Sequence, residues 1–147
     1  MGFALPVFAL CLFIALMAND AQQRSADHMR LSLQQYLPDQ LAADMLRTAA
    51  AVNNWRHGRT VADGPVSPAQ TGMVPVPDPR IQSVIYSGRL WVWVPAAEGV
   101  YSALRAQSMT SALALTVSEG RLRMADGTDM NLALPSSVTE GSIVYLN

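Results

Sequence analysis

The sequence predicts an α+β fold: an N-terminal transmembrane helix, then helical segments packed on a mainly antiparallel β-sheet with one inserted helix. Three observations predict it. Residues 1–19 carry no charged side chain and are mostly Phe, Leu, Ala, Val, Ile and Met. Met29, Leu33, Tyr36, Leu37, Leu41, Met45, Ala49 and Val52 recur at three- and four-residue spacing, which lays them along one helical stripe. From Ile81 onward, short runs rich in β-branched and aromatic residues alternate with turn dipeptides.

The first segment reads as a membrane anchor, because a run of about 17 or more apolar residues can cross a hydrocarbon core of roughly 30 Å. Leu16 stands where a signal cleavage site ending at Ala18 needs a small residue, and the n-region has no basic side chain, so the anchor is expected to stay uncleaved. Arg24 and Arg30 lean towards a cytoplasmic domain by the positive-inside rule, with Asp20 and Asp27 counting for little. Charge alone leaves the topology open.

Residues 20–62 form the helical segment. Pro38 removes a donor and pushes Leu37 from helical angles, which predicts a kink or two helices meeting there. The Ala-rich stretch Ala42 to Ala51 favours helix, and Arg56-His57-Gly58 makes a C-terminal end. Residues 63–80 hold Pro65, Pro68, Pro75, Pro77 and Pro79 with Gly64 and Gly72, a composition in which no helix or central strand is expected. This connection is either a functional surface loop or a loose tether, with Val66, Met73, Val74 and Val76 expected against the domain.

Residues 81–147 are the β-rich part of the same soluble domain. Ile81 to Tyr86 and Arg89 to Val94 flank Ser87-Gly88 at the spacing of a two-residue hairpin. Leu90, Val92 and Val94 alternate with Arg89, Trp91 and Trp93, giving one aliphatic face and one carrying two indoles, both at least partly covered. A helix is predicted over Val100 to Ser108 and strands over Ser111 to Val117, Arg121 to Met124, Met130 to Leu134 and Ser142 to Leu146, with a single helical turn at Pro135 to Val138.

The 147-residue chain has net charge -1, with ten Arg and no Lys. It lacks the basic stripe of a nucleic-acid binder, so no nucleic-acid partner is expected. A chain without lysine cannot supply a P-loop lysine. Cys11, the one cysteine, lies in the anchor, which leaves the remainder without disulfides or thiolate metal sites. His28 and His57 have no carboxylate-and-nucleophile context, and Asp126 and Asp129 lack the spacing of a calcium loop, so catalytic, cofactor and metal residues are all expected to be none. Trp55, Trp91, Trp93 and Tyr101 are the candidates for partner contacts, since aromatics anchor interfaces. The competing reading packs Trp91, Trp93 and Tyr101 as core against the inserted helix and closes the core with Trp55.

One N-terminal span, a helix ending Ala51-Val52-Asn53-Asn54-Trp55, the passage Val76-Pro77-Asp78-Pro79 and the hairpin Ser87-Gly88-Arg89-Leu90-Trp91-Val92-Trp93 occur in that order. They are followed by a Leu104-containing helix, Leu134-Pro135 and Glu140-Gly141-Ser142-Ile143-Val144. This arrangement resembles the PilM family of small inner-membrane proteins encoded with thin, type IVb-like conjugative pili. The resemblance implies a component of the pilin transport apparatus or basal body with a periplasmic domain, meeting other pilus-assembly membrane proteins and pilin, and meeting membrane lipid through residues 1–19. It supplies no catalytic residue or cofactor. A minor pilin is the neighbouring alternative: Gly2-Phe3 has the form of a prepilin junction, but Val7 stands where such a subunit carries Glu and no basic leader precedes it. An anchored enzyme or ligand-binding module is the alternative from another class, and would need a cleft with convergent polar groups.

Overall fold

The computed structural model describes residues 37–147, which form one compact unit. The predicted anchor at 1–19, the helix expected over 20–36 and the upstream arm of the expected Pro38 junction lie outside the described residues. Among the described residues, no helix is long and apolar enough to cross a membrane.

Helix α1 covers residues 37–56. Leu41, Ala42, Met45, Thr48, Ala49 and Val52 are its buried stripe, one face of a 3.6-residue repeat. Thr48 is tolerated there because its hydroxyl donates to the Asp44 carbonyl at 2.7 Å. The helix stops where expected: the His57 N–H still reaches the Asn53 carbonyl at 3.0 Å, and Gly58 takes the left-handed φ of 72° that ends it.

The Pro-rich connection holds more structure than its composition suggests. β1 (Gly64–Pro65) is a two-residue edge strand and α2 (Pro68–Thr71) is one helical turn, a correction to the expectation that no helix forms there. The turn is possible because Pro68 occupies its first position, where no N–H is required, and the Gln70 carboxamide accepts from the Ser67 N–H at 2.7 Å. Val66 and Met73 are buried, whereas Val74 and Val76 are 88% and 72% exposed, against the expectation that all four lie on the domain. The loop is fixed to α1. Arg47 Nη2 donates to the Pro75 carbonyl at 3.2 Å, and Asp44 Oδ2 accepts from the Asp78 N–H at 3.2 Å.

β2 (Gln82–Tyr86) and β3 (Arg89–Val94) form the predicted hairpin. Ser87 and Gly88 have φ of 53° and 74°, both positive as a type I′ turn requires. Helix α3 (Val100–Gln107), β4 (Ala114–Ser118), β5 (Arg121–Arg123) and β6 (Ile143–Leu146) complete a six-stranded antiparallel sheet in the order β1-β2-β3-β6-β4-β5. Residues 111–113 fall in a turn before β4 rather than in the predicted strand. The predicted strand over 130–134 is not formed. Its pairing ends at a bridge between Arg123 and Asp129, because Asn131 turns to φ 50° and its N–H is taken by Asp129 Oδ1 at 2.8 Å. Pro135 to Val138 makes one turn, closed by the Val138 N–H on the Pro135 carbonyl at 3.0 Å.

Alternation along the strands divides the core. Leu90, Val92, Val94, Ala114 and Ile143 meet α1 and the α3 residues Val100, Ala103 and Leu104 on one face. Trp91, Trp93, Leu115, Val117, Val144 and Leu146 occupy the other, under Met124, Met130, Leu132, Leu134 and Val138. The indoles are therefore core, but their cover is the irregular segment 124–138 and not the inserted helix. That segment covers them by packing three apolar side chains, Met130, Leu132 and Leu134, against the sheet without a helix.

Both sheet edges are blunted against strand addition. At β1, Pro65 has no N–H to offer. At β5, the chain doubles back, with the Met124 N–H on the Thr128 carbonyl and the Met130 N–H on the Leu122 carbonyl, each at 2.9 Å.

Candidate interaction surface

The four aromatics singled out in the sequence separate by burial. Trp91 and Trp93 are 1% and 4% exposed, Trp91 donating its indole N–H to the Tyr86 carbonyl at 3.3 Å and meeting the Tyr86 ring edge to face at 6.4 Å. Both side chains belong to the core, as in the competing reading, and Trp93 reaches only the floor of a recess. Tyr101 is half-buried against the aliphatic core, with the Arg105 guanidinium 6.0 Å from its ring centroid and its hydroxyl without a hydrogen-bond partner. Trp55 is also half-buried. One side of its indole packs on the core, and the Arg59 guanidinium lies 5.7 Å from the ring centroid, within cation–π range.

Around Trp55 the fold builds a surface from two segments distant in sequence. The outward side of α1 contributes Ala50, Ala51 and Asn54, and the loop contributes Met73 and Val74, which together line a recess of about 640 Å³ with Arg47 and Arg59 on its rim. Arg47 is held by Asp44 at 3.0 Å and by the Pro75 carbonyl, which positions the exposed Val74-Pro75-Val76 ridge beside the helix. Below the ridge, Asp78 receives both the Nε (2.9 Å) and Nη2 (2.8 Å) of Arg80. Side-chain hydrogen bonds from Arg80 hold the Asp78 carboxyl down at about 2, so this local pair stays charged at neutral pH.

A second recess, about 530 Å³, opens at the C-terminal end of α1 between Arg56, His57, Arg59, Val61, Ile85 and Gly88. A third, about 910 Å³, runs along the β1–β2 edge past Pro65, Val84, Tyr86 and Pro135, with the buried Trp93 at its base. Its lining is mostly apolar, and Asp63, the acid in it, is committed to the hairpin turn, accepting from Ser87 N–H at 2.7 Å and Gly88 N–H at 3.3 Å. Among the described residues, no group of three or more His, Cys, Asp or Glu is placed to hold a metal. His57 stands exposed at the helix end, far in kind from an oriented base.

Sequence reasoning found Trp55 and missed its neighbours. Arg59 lies beyond the helix stop, where no periodicity marks it, and the exposure of Val74 and Val76 reverses what their hydropathy suggests.

Fold and surface define the class: a small antiparallel α+β domain whose accessible features are recesses and an apolar ridge. The chain belongs to the PilM family, whose model matches residues 12–146, and this membership points to a pilus-related role. A crystal structure assigned to PilM from Escherichia coli B7A is similar, with 30% sequence identity and a TM-score of 0.65, covering 78% of this chain and 94% of that one. No curated protein matches.

Proposed function

We propose that this chain is a non-enzymatic component of type IV (thin) pilus biogenesis, an inner-membrane-anchored assembly or basal-body protein with a periplasmic domain that acts through subunit contacts. The observation that carries this reading is the family match across residues 12–146. The surface supports it: Trp55, Arg59, Val74 and Val76 supply the aromatic, guanidinium and apolar groups that dominate protein interfaces. With both sheet edges blunted, the contacts run through side chains of α1 and the loop rather than through strand exchange.

The test is deletion of the gene, with surface pili counted by electron microscopy and the major pilin blotted in cells and sheared fractions. Loss of pili while processed pilin accumulates in cells is the expected result. Normal piliation overturns the reading, and recovery of the protein itself in sheared pili replaces it with a minor pilin.

A further inference from the structure

The recess at the C-terminal end of α1 gathers charge that the sequence leaves scattered. Four of the described arginines are paired: Arg47 with Asp44, Arg80 with Asp78, Arg121 with Asp129 and Arg123 with Glu119. Arg56 and Arg59, with His57 between them, line one recess and have no acidic partner among the described residues. Asp63 is spent on the turn amides of Ser87 and Gly88, and the main-chain oxygen of Asn147 is spent on the Leu90 N–H at 2.7 Å.

Cations at a helix C-terminus have an ordinary explanation in the helix dipole. It does not cover Arg59, whose guanidinium is turned onto the Trp55 ring instead of the final carbonyls. The two guanidiniums are donors only, so what fills the recess must bring acceptors, and planar carboxylates match their geometry. The rest of the lining mixes polar groups, Asn53, His57 and Asn147, with Val61 and the buried Ile85, and Arg59 joins this recess to the Ala50, Ala51, Trp55 and Val74 shelf on its other side. A peptide segment brings an apolar side chain for that shelf along with its carboxylates, whereas a phosphate headgroup brings acceptors alone. A concave floor likewise suits an inserted segment better than a flat bilayer surface.

We infer that this recess is a docking site for an acidic segment of a partner protein, with carboxylates on Arg56 and Arg59 and an adjacent apolar side chain against Trp55 and Val61. The inference stands independently of the pilus reading, since it is a statement about a surface and its ligand chemistry.

The test uses the full-length chain in neutral-lipid nanodiscs, following by NMR the backbone amide resonances of the recess residues in every variant and the Arg56 and Arg59 Nε–H resonances in the wild type. A blocked peptide of alternating Glu and Leu is titrated in, beside the same peptide with Lys for Glu, inorganic phosphate, and phosphatidylglycerol vesicles. Saturable shifts with the acidic peptide alone are expected, weakened by added salt and by about tenfold in R56Q/R59Q, as befits loss of charge-assisted pairs. Arg59→Lys should retain part of the affinity, and Arg89→Gln should leave it unchanged. Equal binding of the Lys peptide, or unchanged affinity in R56Q/R59Q, overturns the inference. Saturation by phosphate reduces the site to a simple anion site, and response to vesicles without response to peptide makes it a membrane-facing patch; either outcome also overturns it.

Discussion

The Glu140 carboxylate accepts hydrogen bonds from the backbone N–H of Gly120 at 3.0 Å and of Glu119 at 2.7 Å. A carboxylate from a remote segment thus clasps the β4–β5 turn, as Asp63 clasps the β2–β3 turn at Ser87 and Gly88. Both turns carry positive φ at two successive positions, and fixing their amides offsets the conformational cost of that geometry. The Gly120 amide, then the Glu119 amide, holds the Glu140 carboxyl below the usual range.

Removing that clasp in Glu140→Ala is expected to speed hydrogen exchange at Gly120 and Glu119 while leaving Ser87 and Gly88 unchanged. Because the folded-state pKa is lowered, the contribution is complete above the unfolded carboxyl value and disappears as pH falls through the folded one. Amide exchange measured against pH checks both statements.

Asp78 gives a second acid-sensitive contact. Its folded pKa of about 2, against an ordinary 3.8, means its stabilisation is full above the ordinary value and lost as pH falls towards 2. The pair with Arg80 is largely exposed, so solvent screening keeps its contribution small. Urea midpoints of the wild type and Asp78→Asn should converge at acidic pH and separate near neutrality.

Gly99 precedes α3 with φ 77°, and a Cβ built on it would stand 3.1 Å from Pro38 Cγ and 3.3 Å from Pro38 Cβ. Gly99→Ala combines left-handed strain with a steric clash against a rigid ring, and should cost about 1–3 kcal/mol. Chemical denaturation measures the loss.

Two tryptophans should behave oppositely. Trp91→Ala empties a site that is 1% exposed and should cost about 3–5 kcal/mol. Trp55→Ala removes a half-buried ring and should cost less than about 2 kcal/mol, while impairing piliation if the surface meets a partner.

Val74→Asp and Val76→Asp alter side chains that reach solvent, and stability should stay within about 0.5 kcal/mol of wild type. Under the proposed function they reduce surface pili, counted by electron microscopy, at unchanged protein level. Unchanged piliation in both variants would exclude the ridge as a contact.

Local periodicity made the β2–β3 hairpin, the end of α1 at Gly58, the position of α3 and the two-faced character of β3 legible in the sequence, because each depends on backbone geometry over a few residues. Strand order was not legible. β6 inserts between β3 and β4, pairing Trp93 with Val144 and Leu115 with the same Val144, and no local pattern specifies a partner 51 or 29 residues away. Nor could alternation say which segment covers the indoles, since any apolar chain of suitable length lowers the same free energy of exposure. The interaction surface belongs wholly to this second category. Trp55 was visible as an aromatic at a helix end, but its meeting with Val74, and the meeting of Arg56 and Arg59 with Ile85, exist only because packing on one sheet face brings the helix end, the loop and the hairpin together.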